Sequence, residues 1–250
     1  MDKKLTEIIV ITDRSGSMEA VQEDTIGGFN AFLAEQQKSV EGRCLLTYCQ
    51  FDHEYEVVHE ALPIEKMKPL DNTTFVPRGA TALFDAVGRT IDDVGQRLAN
   101  TPEGKRPGNV VVVILTDGGE NASSAKYKNG KLQEMVQHQA DAYDWTFIFL
   151  GQNIDAFAGG AAIGLNNAHA NMFVGQVGAG GLGQQRAYFA ASAAVQGTRH
   201  KAARGMSKAF VDLERDAYTS ALAGDDSALN DLDSAQSGTA DSSTSDSTGA

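Results

Sequence analysis

The 250-residue chain has little cysteine and one tryptophan, and none of its apolar runs is long. The two cysteines, Cys44 and Cys49, both fall in the strand-like run Arg43-Cys-Leu-Leu-Thr-Tyr-Cys-Gln-Phe51. Their odd separation puts them on opposite faces of a strand, which argues against a disulfide between them. Without a C-x-x-C pair the usual thiolate framework for zinc is missing too, so both are expected as small buried hydrophobes. No segment approaches the length of a membrane span, and the charges around Met1–Glu7 leave too short a run for a signal peptide. A protein of the cytoplasm is the expectation. Basic residues are also in deficit: the formal charge of −12 argues against a nucleic-acid backbone as the principal ligand. Half of that charge comes from Asp225, Asp226, Asp231, Asp233, Asp241 and Asp246, which face no Lys or Arg between 225 and 250.

What is present is an alternation of apolar runs and helix-like stretches, as in a mostly parallel sheet covered by helices on both faces. Strands are expected at 7–12, 43–51, 54–62, 109–116, 145–150 and 170–174, the third hairpin-connected and so antiparallel at the edge. Helices are expected at 19–38, 83–100, 131–142 and 154–163. In the second, Leu83, Val87, Ile91, Val94 and Leu98 make one apolar stripe. Gly27 and Gly28 inside the first helix each cost about 1 kcal/mol relative to alanine, which implies close approach to the sheet or to the loops at its edge. From Gln184 the chain turns alanine-rich and helical, with Tyr188, Phe189 and Val195 as anchors. A helical extension follows at 201–223, then an acidic Ser/Asp-rich tail, 224–250, that is expected to be disordered.

Chemistry concentrates at two strand ends. Behind Ile8-Ile9-Val10-Ile11 comes Thr12-Asp-Arg-Ser-Gly-Ser-Met18, and behind Val110–Leu115 comes Thr116-Asp-Gly-Gly-Glu-Asn121. Asp13, Ser15, Ser17 and Asp117, with Thr81 ahead of the second helix, offer two carboxylates and three hydroxyls. These are hard ligands, suited to Mg²⁺ or Mn²⁺ rather than zinc. Loops at the carboxyl ends of parallel strands form the crevice of an open α/β sheet, so all five can reach one place.

The pattern resembles the von Willebrand factor type A domain, whose metal-ion-dependent adhesion site is D-x-S-x-S, a distant Thr and a distant Asp. Asp13, Ser15, Ser17, Thr81 and Asp117 match those positions, and Gly79-Ala-Thr-Ala-Leu-Phe-Asp85 looks like the family's threonine loop. The resemblance covers residues 1–200 as one domain and implies a Rossmann-like fold. It also implies a cation whose unfilled vertex takes a Glu or Asp from a protein partner, with Arg14, Gly118, Gly119 and Glu120 shaping the rim. Relatives of this kind in the cytoplasm act in larger assemblies, including with AAA+ ATPases. The implied function is recognition and not catalysis.

Other signals compete. Ser15 and Ser17 have the alternative of capping the next helix, with Asp13 closing a turn. A Mg²⁺-dependent hydrolase would need a base, for which Asp117 and Glu120 are the nearby candidates. A structural component of a virus or mobile element is a third reading. Gly178-Ala-Gly-Gly-Leu-Gly183 spells G-x-G-x-x-G, but position 203 is alanine where a dinucleotide site would want an acid. There is no P-loop and no G-x-S-x-G elbow. Cys49, His53 and His59 make a poor zinc set because their strand parity is mixed. Lys126, Lys128 and Lys131, and Arg199, Lys201, Arg204 and Lys208, read as solvated helix faces.

Overall fold

A computed structural model describes residues 1–39, 42–151, 154–164, 170–174, 188 and 191–199. The readings at 178–183, at 201–223 and at 224–250 lie outside these residues. Six strands make one sheet: β1 (Asp2–Asp13), β2 (Arg43–Phe51), β3 (Tyr55–Pro63), β4 (Pro107–Thr116), β5 (Thr146–Gly151) and β6 (Ala170–Val174). Their spatial order is β3-β2-β1-β4-β5-β6, and every pairing is parallel except β2–β3. This is the expected Rossmann-like layout with one antiparallel edge. Successive strands are added outward on either side of β1, so strand order reverses between β1 and β4. A ligand crevice opens at such a point.

The helices are α1 (Gln22–Lys38), α2 (Leu83–Asn100), α3 (Lys131–Tyr143) and α4 (Ile154–Ala162), and residues 191–199 are helical too. Ile9, Ile11, Val112 and Ile114 of the central strands meet Leu83, Val87, Ile91, Leu132 and Val136 of α2 and α3. Both central strands are buried on both faces, which explains their unbroken apolar runs. Cys44 and Cys49 are free and buried, as expected.

The first strand begins at Asp2, five residues before the expected start at 7, because Asp2 pairs with Pro107 and Leu5 with Arg43. The first helix starts later than expected, since Gly16–Val21 forms a 3₁₀ turn that leaves α1 to begin at Gln22. Gly28 corrects the reading of the glycine pair. A Cβ there would lie 2.2 Å from the Tyr188 ring, while one at Gly27 would meet nothing within 4 Å. The close approach is thus to Tyr188, not to the sheet or its loops. Tyr188 and Val195 are buried anchors, as expected. Arg199 is not on a solvated face: it is 2% exposed and donates from Nη1 to the Gln36 carbonyl at 3.0 Å. Alanine-rich spacing hid this, because the acceptor lies on α1.

Candidate metal centre

The centre is built where β1 and β4 end side by side. Thr12 pairs with Leu115, so the next residues, Asp13 and Thr116, are the last of their strands and end them side by side. Asp13 is fully buried and both of its oxygens are engaged. Thr116 Oγ1 donates to Oδ2 at 2.5 Å, and the Ser15 amide donates to Oδ1 at 2.7 Å. Asp13 therefore does close a tight turn, but the capping reading of the serines fails. Ser15 occupies the N-cap of the 3₁₀ turn with no side-chain capping bond. Its hydroxyl lies 3.2 Å from Ser17 Oγ instead, and Ser17 Oγ donates to Asp117 Oδ1 at 2.7 Å.

Thr81 arrives from the loop before α2. A Cβ built on Gly118 would lie 3.7 Å from Thr81 Oγ1 and 3.8 Å from Ser17 Oγ, so both hydroxyls border one small space beside Asp117. That loop is tied down along its length. The Gly16 amide donates to Gly79 O at 3.0 Å, and the Arg78 amide to Arg14 O at 2.6 Å. Thr81 N donates to Asn121 Oδ1 at 2.9 Å, while the Asn121 and Ala122 amides donate to the Thr81 carbonyl at 3.0 and 3.1 Å. The five residues singled out in the sequence thus lie together at one strand-end crevice.

Of the expected rim, Gly118 borders the space between the hydroxyls, but Arg14 and Glu120 do something else. Arg14 is 7% exposed and reaches back to the β2–β3 hairpin, where it meets Asp52 at 3.1 Å and Glu56 at 2.7 Å. Glu120 caps α2: Oε2 accepts from the Phe84 amide at 3.0 Å, and Oε1 from the Ser123 amide at 2.6 Å. Ser123 Oγ adds a third bond to Oε2 at 2.6 Å, which leaves this carboxylate committed to structure and poorly placed to serve as a base. The histidines do not gather a zinc set with Cys49, whose thiol lies 3.3 Å from the Tyr55 hydroxyl.

Burial pushes the Asp13 carboxyl up to about 6, against the opposing pull of its bonds from Thr116 and Ser15, and the Asp117 charge adds to the rise. Burial also raises Asp117, opposed by the Ser17 hydroxyl. Asp13 is held by neutral donors alone, so a nearby positive charge would relieve it. The spacing suits a small hard ion. Neighbouring vertices of a Mg²⁺ octahedron with bonds of ~2.1 Å lie about 3.0 Å apart. The Ser15–Ser17 and Ser17–Asp117 separations of 3.2 and 2.7 Å bracket that value. By donor type and spacing, the residues fit a divalent cation.

Sequence reasoning missed Thr116, which holds Asp13, and Asn121, which holds Thr81. Both stand inside the quoted motif Thr116-Asp-Gly-Gly-Glu-Asn121, and the β1–β4 register is the signal that would have set Thr116 opposite Asp13.

No protein-family model matches the chain, and no curated protein matches it. Solved structures do. One is the von Willebrand factor type A protein from Catenulispora acidiphila, with a TM-score of 0.50 at 14% identity over 77% of this chain and 43% of that one. Another is the PilB minor pilin from Streptococcus sanguinis, with a TM-score of 0.54 at 9% identity over 78% of this chain and 61% of that one. The match thus spans less than two thirds of either protein's length. At such low identity the likeness speaks for the fold, and the sheet order and strand-end crevice agree with it: the chain has the fold of a von Willebrand factor type A domain.

Proposed function

We propose that the domain is a divalent-cation-dependent module for recognising a protein partner. The observation that carries this reading is the run of contacts Ser15–Ser17–Asp117 at 3.2 and 2.7 Å beside a buried Asp13 held only by neutral donors. Ser15, Ser17, Thr81, Asp13 and Asp117 would hold Mg²⁺ or Mn²⁺, directly or through water. The ion would supply an electrophilic vertex for a carboxylate. The protein's own part is to keep the hydroxyls and carboxylates converged and to leave one side of the crevice open, while burial works against ionised aspartates and the bound ion would favour them. Two ionised carboxylates offset one dication, so a partner's Glu or Asp would be held by coordination at a vertex otherwise filled by water and not by net charge.

Catalysis is disfavoured by Glu120, whose oxygens are spent on the Phe84 amide at the start of α2 and on the amide and hydroxyl of Ser123. The same proposal assigns the module to residues 1–200, with 201–223 and 224–250 as appended segments. Its setting is a larger cytoplasmic assembly, with an AAA+ ATPase among the partners the family resemblance implies. Among the described residues no helix is long and apolar enough to cross a membrane.

The test is a Mn²⁺ titration followed by electron paramagnetic resonance, with an acidic peptide then offered in Mg²⁺ and in EDTA. Saturable one-site binding that Asp13→Ala weakens by more than roughly a hundredfold is expected, with peptide retention only in Mg²⁺. Failure of the unaltered chain to bind Mn²⁺ would sink the reading.

A further inference from the structure

A single carboxylate outside the candidate ligand set touches both loops that carry it. Asp52, at the turn after β2, is fully buried. Its Oδ2 accepts from Arg14 Nε at 3.1 Å and from Arg78 Nε at 2.8 Å. Its Oδ1 accepts from the Glu54 amide at 2.6 Å, and its carbonyl from the Ala82 amide at 2.9 Å. Arg14 stands between Asp13 and Ser15, Arg78 stands three residues before Thr81, and Ala82 follows it. The loop passes under the hairpin because residue 79 is glycine: φ is +72°, and a Cβ would fall 2.3 Å from His53 Nδ1.

Two guanidinium groups on one carboxylate oxygen would repel each other without it. Asp52, His53 and Glu54 bring their ligand atoms within 4.8 Å of one another, as a metal site would. The two arginines already supply the cationic charge there, so the cluster serves as an arginine clasp.

Resting on the cation-site reading above, we propose that Asp52 is a positioning residue. By clasping Arg14 and Arg78 it sets the distance between the Asp13–Ser17 loop and the Thr81 loop, and through that distance the affinity for the cation. Asp52 does not itself touch the ion. Supporting residues of this kind typically tune metal affinity tenfold to a hundredfold, ~10–100.

The experiment compares Mn²⁺ affinity, by electron paramagnetic resonance, with melting temperature in EDTA for four variants of the full chain. Asp52→Asn and Arg78→Gln are each expected to weaken Mn²⁺ binding by roughly tenfold or more. Arg78→Lys, which keeps one charged donor toward Asp52, should recover at least half of the logarithmic loss. Val136→Ala, a core change beneath α3, should lower the melting temperature and leave affinity unchanged. If Asp52→Asn fails to fold, the Arg78 pair decides. Unchanged affinity in the clasp variants overturns the proposal while leaving the metal site standing, and equal loss in Val136→Ala overturns it as mere destabilisation. If the unaltered chain binds no Mn²⁺, the site reading falls and the clasp with it.

Discussion

Asp13 and Asp52 sit one residue apart in adjacent strands' register, at the same edge of the sheet, and both are fully buried. Their surroundings could hardly differ more. Burial raises Asp13 to about 6, and its bonds from Thr116 and Ser15 fail to cancel the effect. Burial would raise Asp52 as well, but the Glu54 amide, Arg78 and Arg14 outweigh it and hold this carboxyl below the usual range. A buried carboxylate costs little when protein cations face it and a great deal when only neutral donors do. The first case is finished structure. The second places a buried carboxylate among neutral donors, where a bound cation would offset its charge, and that separates a candidate ion site from a structural ion pair here.

If this contrast is right, neutralising the two residues moves stability in opposite directions. In EDTA at pH 7, Asp13→Asn should raise stability by about 1–2 kcal/mol, because it removes the uncompensated charge while keeping most of the hydrogen bonding. Asp52→Asn should lower it by about 3–5 kcal/mol, since Arg14 and Arg78 lose their shared buried counter-charge and keep only the exposed Glu56 and Glu54. Paired urea titrations with and without EDTA measure both. Shifts of the same sign would break the comparison.

What was legible in the sequence follows the same line. Asp13, Ser15 and Ser17 are neighbours, and Asp117 stands behind an unmistakable buried strand, so local spacing and residue type were enough to nominate them. Thr81 was nominated through the likeness of Gly79-Ala-Thr-Ala-Leu-Phe-Asp85 to the threonine loop of the resembling family, with the apolar stripe of α2 placing it just ahead of a helix. The supports were not. Thr116 lies 103 positions from Asp13, and Asp52 lies 38 from Arg14, so each contact depends on strand register and hairpin placement. Gly28 shows the intermediate case. A helical glycine announced that something comes close, but only the packing of α1 identified Tyr188, since no short-range pattern links the two. Arg14 was misjudged as rim for a similar reason: its position in the motif is variable, while its partners come from the end of β2, the turn after it and β3.

A pH series sharpens the contrast further. Asp13 binds its proton more tightly folded, at about 6, than unfolded, near 4. Its protonation therefore favours the fold fully below pH ~4, and that advantage is lost as pH rises through about 6, for a change of roughly 3 kcal/mol at most. In EDTA the domain should accordingly lose stability between pH 4 and pH 7 through this group. Saturating Mg²⁺ should cancel or reverse the trend, since the ion selects the ionised form. Asp52 works in the other sense, its contribution being lost only on acidification below the ordinary carboxylate range. Melting curves at several pH values, in EDTA and in Mg²⁺, separate the two. A loss between pH 4 and pH 7 that Mg²⁺ leaves untouched would count against Asp13 as its source.

The smallest effect belongs to Glu56, the exposed end of the Arg14 contacts. Arg14 Nη1 meets Glu56 at 2.7 Å, but the carboxylate side chain is 56% exposed, so solvent screens the pair. Glu56→Gln should change stability by less than about 1 kcal/mol. It should alter Mn²⁺ affinity by less than about twofold, because Asp52 still holds Arg14 from the buried side. A loss from Glu56→Gln as large as that from Asp52→Asn would mean that the hairpin positions the loop through its surface charges. Burial would then no longer be what distinguishes the Asp52 contact from an ordinary exposed ion pair.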